Sequence, residues 1–242
     1  MTSRDKLEAP EAYQAKVEEV CRIYLNAPEL HEQGVHVVST DEKTGIQALE
    51  RVHPTKPPRP GLSERIEGEY KRHGTLCLLA NLDVVQGCII EPSVGPTRTE
   101  EDFAANIRRV IDTDPSGTWI FVADQLNTHM SETLVNLVAE RCDVDDDLGK
   151  KGVSGVLKSK TTRRSFLEGT AHRIRFVYTP RHTSWLNQIE CWFSILARRL
   201  LKRSSFCSLD ELEAKLREFI EYFNAVLAKP FKWTYTGRPL QA

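Results

Sequence analysis

The sequence predicts an α/β domain, a mixed sheet covered by helices. Short apolar runs of strand character alternate with longer segments of helical periodicity. After a leading helix their order is strand, two strands, helix, strand, helix, strand, helix, helix, which does not separate into an all-helical half and an all-β half. Acidic residues directly follow two of the apolar runs, where ligand sites of open α/β sheets commonly lie.

The elements follow in chain order. Residues 8–25 place Ala12, Val17, Val20, Ile23 and Tyr24 roughly on one helical face. Val35-His-Val-Val-Ser-Thr is a strand running into Asp41 and Glu42. Residues 51–72 mix charges with Pro54, Pro57, Pro58 and Pro60, which predicts an extended, semi-rigid loop. Residues 75–83 and 86–94 form a strand pair with a tight turn near 83–87. Thr99 caps a helix through 112, its apolar side carrying Phe103, Ile107, Val110 and Ile111. Residues 118–122 make a short strand ending at Ala123-Asp124, and Ser131 opens a helix to about 141. Residues 143–172, with Gly149, Gly152, Gly155 and Gly169, are the least regular stretch. A strand over 174–178 is stopped by Pro180, and a strongly patterned helix covers 185–201. Ser208-Leu-Asp-Glu opens a last helix to about 227, and the aromatic tail Lys229-Pro-Phe-Lys-Trp-Thr packs back on the body. No internal repeat is present. The organisation is an N-terminal helical segment, 1–34, and one domain, 35–242, with the loop 51–72 and an insertion at 143–172.

The chain of 242 residues is 40% hydrophobic and 28% charged, the balance of a globular protein with a substantial core. No apolar run approaches the ~20 residues that span a bilayer. The start lacks the apolar region of a secretory signal, so the expected location is the cytoplasm, without a membrane partner. Six scattered cysteines, none at C-x-x-C spacing, argue against structural zinc and a disulfide framework, and several in apolar runs are expected to be buried thiols. A net charge of −1 argues against a simple DNA-coating protein, but the charge is segregated. Asp143, Asp145, Asp146 and Asp147 form an acidic run; from 150 to 181 nine Lys or Arg face one acid, Glu168. Lys150, Lys151, Lys158, Lys160, Arg163 and Arg164 either make a solvated loop or track a phosphate backbone. Arg198, Arg199, Lys202 and Arg203 either reach phosphates or favour a helix C-terminus.

The chemistry-bearing candidates are carboxylates. Hard cations such as Mg²⁺ take oxygen ligands, and a pair of them activates an attacking oxygen while stabilising the leaving one. Asp41 and Asp124 sit at predicted strand ends, where a lone aspartate is more often a cap or turn residue. Glu190 lies on a patterned helix whose apolar stripe is Leu186, Ile189, Phe193, Leu196 and Leu200. Beside that stripe runs a small polar one, Asn187, Glu190, Ser194 and Ala197, suited to lining a cleft. His129 and His182, close in sequence to Asp124 and Glu190, either touch the site or are structural. Asn187 belongs in the site before Trp185, whose size favours packing. Glu42, adjacent to Asp41 on a strand, points to the opposite face and at most supports the site from behind.

Three ordered segments carry a resemblance. Tyr178-Thr-Pro-Arg-His-Thr-Ser-Trp-Leu-Asn-Gln-Ile-Glu190-Cys-Trp-Phe-Ser resembles the motif around the third acidic residue of bacterial insertion-sequence transposases, the six-thirty branch of the mariner superfamily of DDE enzymes. Val37-Val-Ser-Thr-Asp41-Glu-Lys-Thr-Gly is similar to the first-Asp motif, and Phe121-Val-Ala-Asp124-Gln-Leu-Asn-Thr-His129 to the second. Tyr70-Lys-Arg-His-Gly-Thr and the Lys-Pro-Phe-Lys-Trp tail add support, and the likeness extends from about residue 12 to 235. It implies an RNase H-like, retroviral-integrase-like fold and two Mg²⁺ or Mn²⁺ ions held by Asp41, Asp124 and Glu190; Gln125, His129, His182 and Asn187, close to these acids in sequence, are the candidates to lie around them. It implies cleavage at transposon ends, attack of the freed 3′-hydroxyl on target DNA, a homodimer that pairs two ends, and work at the bacterial nucleoid. In relatives the place of residues 51–72 is taken by a loop that contacts the partner subunit.

The pattern departs in three places. About 35 residues precede the first strand, too few for the helix-turn-helix region that reads terminal repeats, so that region is expected on a longer chain or a partner chain, or to have been lost. Gln125 stands where the family typically has Asn. Asp124 and Glu190 have 65 residues between them, roughly twice the usual spacing, and the surplus falls in 143–172, either a DNA-contacting insertion or a disordered loop. Two other readings compete: a catalytically inactive or domesticated DNA-binding derivative, and a different RNase H-like nuclease. The intact acidic triad argues against the first, because converging carboxylates need a cation to offset their repulsion. The Ser-Trp-Leu-Asn-Gln-Ile-Glu segment argues against the second.

Overall fold

The computed structural model describes residues 10–53, 56, 58–63 and 68–238. Its sheet has five strands: β1 (Val35–Arg51), β2 (Tyr70–Asp83), β3 (Ile89–Gly95), β4 (Thr118–Ala123) and β5 (Ile174–Tyr178). In the order β3-β2-β1-β4-β5, β1 pairs antiparallel with β2, β2 antiparallel with β3, and β1, β4 and β5 run parallel. The mixed sheet predicted from the sequence is present.

Alternation along the strands supplies two apolar faces. On one, α2 (Glu100–Asp112), α3 (Glu132–Arg141) and α4 (Lys160–Leu167) pack against Val38, Leu79, Phe121, Phe176 and Tyr178. On the other, α1 (Pro10–Glu32) covers Val37, Ile120, Val122 and Val177. Beside it α5 (Ile189–Leu196) and α6 (Leu209–Tyr222) cover Ile46, Leu76, Leu78, Ala80 and Leu82. The tail closes over this face, Trp233 lying 5.0 Å from the Tyr24 ring.

Local chemistry sets the element ends. Thr99 and Asp102 form a reciprocal capping box on α2, and Ser131 caps α3 through the Leu134 amide. Ser208 caps α6 through the Glu211 amide, while the Glu211 carboxylate turns to the Cys207 amide instead of closing a box. Between β2 and β3, Asp83 Oδ1 accepts from the Val85 and Gln86 amides. Gly87 completes that turn with a φ of 70°.

Several expectations need correction. The first helix runs on to Glu32, beyond the predicted end at 25. Strand β1 does not end at Asp41 but continues to Arg51, and β2 begins at Tyr70, so 51 and 70–72 belong to a long hairpin arm in which Arg51 pairs with Tyr70. Apolar residues recur far enough along both strands to hold this arm against α5 and α6. Of the proline-rich loop, residues 54–55, 57 and 64–67 lie outside the described residues. The insertion 143–172 is ordered: a Ser159–Thr162 capping box starts α4, and Leu157 and Leu167 are buried in the core. The helix expected over 185–201 is broken, with a 3-10 turn at Ser184–Leu186, Asn187 extended, then α5 and a π-helical turn at Ala197–Leu201. Asn187 therefore does not share a helical stripe with Glu190. All six cysteines are free thiols, but only Cys21 is buried; Cys191 and Cys207 are exposed.

The tail crosses the β2–β3 turn so closely that a Cβ on Gly87 would sit 2.0 Å from the Lys229 carbonyl oxygen. Gly87→Ala is expected to cost about 2 kcal/mol or more, from the left-handed backbone and the clash together, as measured by urea unfolding.

Candidate active site

The parallel ladder ends before β1 does. Ser39 pairs with Val122, and β4 stops at Ala123 and β5 at Tyr178. The next residues along β1, Thr40 and Asp41, thus run beside Ala123 and Asp124 at the carboxyl end of the parallel half. Asp41 and Asp124 become neighbours by register, although Asp41 is in mid-strand.

The start of α5 is fastened to the same stretch of β1. The buried Asn187 amide donates to the Thr40 carbonyl at 3.1 Å and to Asp41 Oδ2 at 3.2 Å, and its oxygen accepts from the Ser39 hydroxyl. Ser39 Oγ in turn accepts from the Ile189 amide at 2.9 Å. These bonds explain why the helix breaks at Asn187: its side chain is committed to the strand. Glu190, in the first turn of α5, is brought to the same end of the sheet, half-buried, and its carboxylate makes no hydrogen bond or ion pair with a described residue.

On the opposite face Glu42 points away from Asn187, as alternation requires, yet it is not remote from the chemistry. Its buried carboxylate accepts from Arg98 at 2.8 Å and from His129 Nε2 at 2.8 Å. His129 Nδ1 lies 2.8 Å from Asp124 Oδ1, which also accepts from the Leu126 amide. A fully buried imidazole, packed against Phe103 with ring centroids 4.2 Å apart, thus bridges two carboxylates. Carboxylate oxygens of Asp41 and Glu42 and a ring nitrogen of His129 all fall within 4.8 Å of one another.

The electrostatics follow from this crowding. Burial, reinforced by the charges of Asp124 and Glu42, raises Asp41 to about 7 despite His129 nearby. Burial alone would lower His129, but hydrogen bonds and charge from Asp124 and Glu42 outweigh it and raise the imidazole to about 10. Burial opposes ionisation of Asp124 and Glu42, yet their bonds to His129 hold both below the usual carboxylate range.

A second buried network underlies Asp41. Thr40 Oγ1 donates to Asn81 Oδ1 at 2.7 Å, and the Asn81 amide donates to Asn106 Oδ1 at 2.8 Å. Asn106 continues to the Glu91 carbonyl at 2.7 Å, tying β1, β2, β3 and α2 together. Sequence reasoning missed these residues and Arg98. A signal existed, because Asn81 interrupts an apolar strand at an inward position and Asn106 falls on the apolar side of α2.

Other candidates are placed differently. Gln125 turns away from Asp41, donating to the Thr179 carbonyl at 3.0 Å. His182 is exposed, with a φ of 62°, outside the cluster. Trp185 is half exposed and packs on Tyr235. Of the basic candidates, Lys160 donates to the Gln125 carbonyl and to Asn127, beside Asp124. Lys151 pairs with Glu100 and Glu132. Arg163 binds the Met130 and Leu157 carbonyls, and Arg164 pairs with Glu168 and lies over Tyr178. These three brace the insertion against the body. Lys150, Lys158, Arg198, Arg199, Lys202 and Arg203 are exposed.

A mixed five-stranded sheet flanked by helices, with acidic side chains gathered beyond its parallel half, is the RNase H-like architecture. The family model of the DDE superfamily endonucleases matches residues 36–213, and the chain belongs to that family. Among solved structures, a Mos1 mariner paired-end complex with Mn is similar at 14% identity and a TM-score of 0.54, over 91% of this chain and 59% of that one. The catalytic domain of Mos1 mariner transposase is similar at 13% identity and a TM-score of 0.50, over 88% and 83%. That domain with Raltegravir and Mn gives 12% identity and a TM-score of 0.51, over 88% and 84%. The chain spans less than two thirds of the first of these proteins. No curated protein matches it.

Two outcomes follow. Asp41 takes up its proton more readily folded than unfolded, so it subtracts stability as pH rises from about 4 through about 7. Compared with Asp41→Asn by urea unfolding in chelator, the native chain should lose, on the order of, a few kcal/mol across that window, and equal pH slopes would remove the burial argument. Asn187→Ala leaves buried partners on β1 unpaired and should cost about 1–3 kcal/mol by the same measurement.

Proposed function

We propose that residues 35–242 are the catalytic domain of a transposase, which cleaves DNA strands with divalent metal ions and joins the freed 3′ end to a target, and that the segment 1–34 leads into it. The observation that carries this reading is the fastening of α5 to β1 through Asn187, with Asp124 one strand away, at the end of the parallel ladder. That arrangement supports Asp41, Asp124 and Glu190 as the three metal ligands, from two strands and a helix.

The donor set fits Mg²⁺ or Mn²⁺. It is dominated by carboxylate oxygens, and Asp41 is held up near 7 by burial and by the nearby charges of Asp124 and Glu42, a condition a cation relieves. A bound pair of ions would supply the charge that activates an attacking oxygen and stabilises the departing one. The chain's own residues do the rest. Asn187 orients Asp41 through Oδ2. His129 and the Leu126 amide hold Asp124 by Oδ1. Glu190, in the first turn of α5 and without a partner among the described residues, is the third oxygen donor in this reading.

The motifs around Asp41, Asp124 and Glu190 support placement in the insertion-sequence, six-thirty branch of the mariner superfamily, with a bacterial nucleoid as the place of action. Its partners in this reading are duplex DNA, transposon ends and target, a second copy that pairs the two ends, and a helix-turn-helix region elsewhere. No described helix is long and apolar enough to cross a membrane.

In Mg²⁺ or Mn²⁺ the chain should nick duplex DNA, and Asp124→Asn and Glu190→Gln should each lower the rate by about a hundredfold or more with the fold retained. Nicking at the native rate by either variant would remove that residue from the ligand set. DNA binding without nicking by the native chain would mark a catalytically silent derivative.

A further inference from the structure

Helix α5 leads away from the carboxylates along β1. Its start is bonded to Ser39, Thr40 and Asp41, and the chain just past it is bonded to the far end of the same strand. There Arg51 donates to the Lys202 carbonyl, the Arg51 amide to Ser205 Oγ, and the Phe206 amide to the Leu49 carbonyl. The helix and the hairpin arm of β1 and β2 therefore form one continuous surface with the acidic cluster at one end.

The exposed charges past Glu190 along α5 and the turn after it are of one sign. Lys43 lies over the Phe193 ring, one turn beyond Glu190. Arg198 and Arg199 follow, lining with Lys229 a groove of about 460 Å³, and then come Lys202 and Arg203. Arg198, Arg199, Lys202 and Arg203 are exposed and make no ion pair with a described residue. On the hairpin arm Lys71 and Arg72 are exposed on opposite faces, with Glu69 exposed beside them, and Glu50 pairs with His73. In a chain of net charge −1, four exposed cations in close succession, Arg198 to Arg203, without a described acid paired to any of them are a built asymmetry.

We propose that this face is a track for a DNA duplex, holding the phosphates of the flank on one side of the cut, with α5 setting the distance. The inference rests on the transposase reading and adds a location to it. Arg198 and Arg203 follow Glu190 by eight and thirteen positions. At 1.5 Å per residue Arg198 lies about 12 Å along the helix from the acidic end, and Arg203, in the turn past the helix, lies no more than about 20 Å from it. At 3.4 Å per base pair, that is about four to six base pairs from the scissile phosphate. The insertion 143–172, whose Lys151, Arg163 and Arg164 are bound to protein groups, is not needed for this contact.

The test combines Arg198→Gln, Arg199→Gln, Lys202→Gln and Arg203→Gln in one chain and measures binding to a mixed-sequence 30-base-pair duplex across a salt series without divalent ions. The slope of log affinity against log salt should fall by about two to four, and affinity by at least about tenfold at low salt. On end-labelled duplexes in Mn²⁺, the native chain should fail to cut within about six base pairs of one end, and the variant should lose that dependence on flank length. A native slope in the variant, with the native chain binding and cutting, would overturn the track and leave the transposase reading standing. A native chain that neither binds nor cuts duplex would overturn both. Unchanged melting of the variant separates lost contacts from lost fold.

Discussion

Three carboxylates, Asp41, Glu42 and Asp124, converge where β4 ends and β1 does not, and their mutual repulsion is the constraint around which the rest is arranged. Within the protein, His129 is the counterweight. It spans Glu42 and Asp124 from the α2 side of the sheet and is held by Phe103 beneath and by the Tyr178 hydroxyl on its own carbonyl. A cation so placed can be carried in a buried position only because two charges of opposite sign bracket it. Asp41, on the other face, accepts hydrogen bonds from the amides of Asn187 and Glu42, and it is the carboxylate left near neutrality. The division of labour is spatial: one face of the sheet neutralises charge with protein, and the other leaves charge to be met from outside.

That division depends on scaffolding that carries no chemistry. The Thr40–Asn81–Asn106 network fixes β1 against β2 and α2 directly behind Asp41, and Ser39 and Asn187 fix it against α5. Every polar group in these chains is buried, so each must be matched or it costs free energy. A helix and two strands are thereby held in one register at the place where small displacements would separate the acids.

Much of this was legible in the sequence, and the rest was not for definable reasons. The mixed sheet, the caps at Thr99 and Ser131, and the place of Asp124 just past the end of β4 followed from periodicity and local hydrogen-bonding chemistry, whereas Asp41, expected at a strand end, lies in mid-strand. The break at Asn187 did not, because apolar spacing continues through it from Leu186 to Ile189, and only a tertiary bond to β1 interrupts the helix. Glu42 was assigned to the correct face but given too small a part, since alternation says where a side chain points and nothing of a histidine eighty-seven positions away. The order in 143–172 was hidden by its charge, much of which is spent on carbonyls and acids of the same molecule.

The long strand β1 carries an irregularity between Lys43 and Ile46, where Gly45 takes a φ of 65°. Strict alternation from Asp41 would send Ile46 to the face of α2, yet Ile46 and Ala48 lie with α5 and α6. The irregularity resets the parity of the strand. The acidic end and the arm obey separate rules of inside and outside, joined at one residue. Adding or removing one residue at that joint would turn the arm over and strip Ile46 and Ala48 from α5 and α6 while leaving Asp41 where it is, so the joint holds the arm's packing independently of the acids.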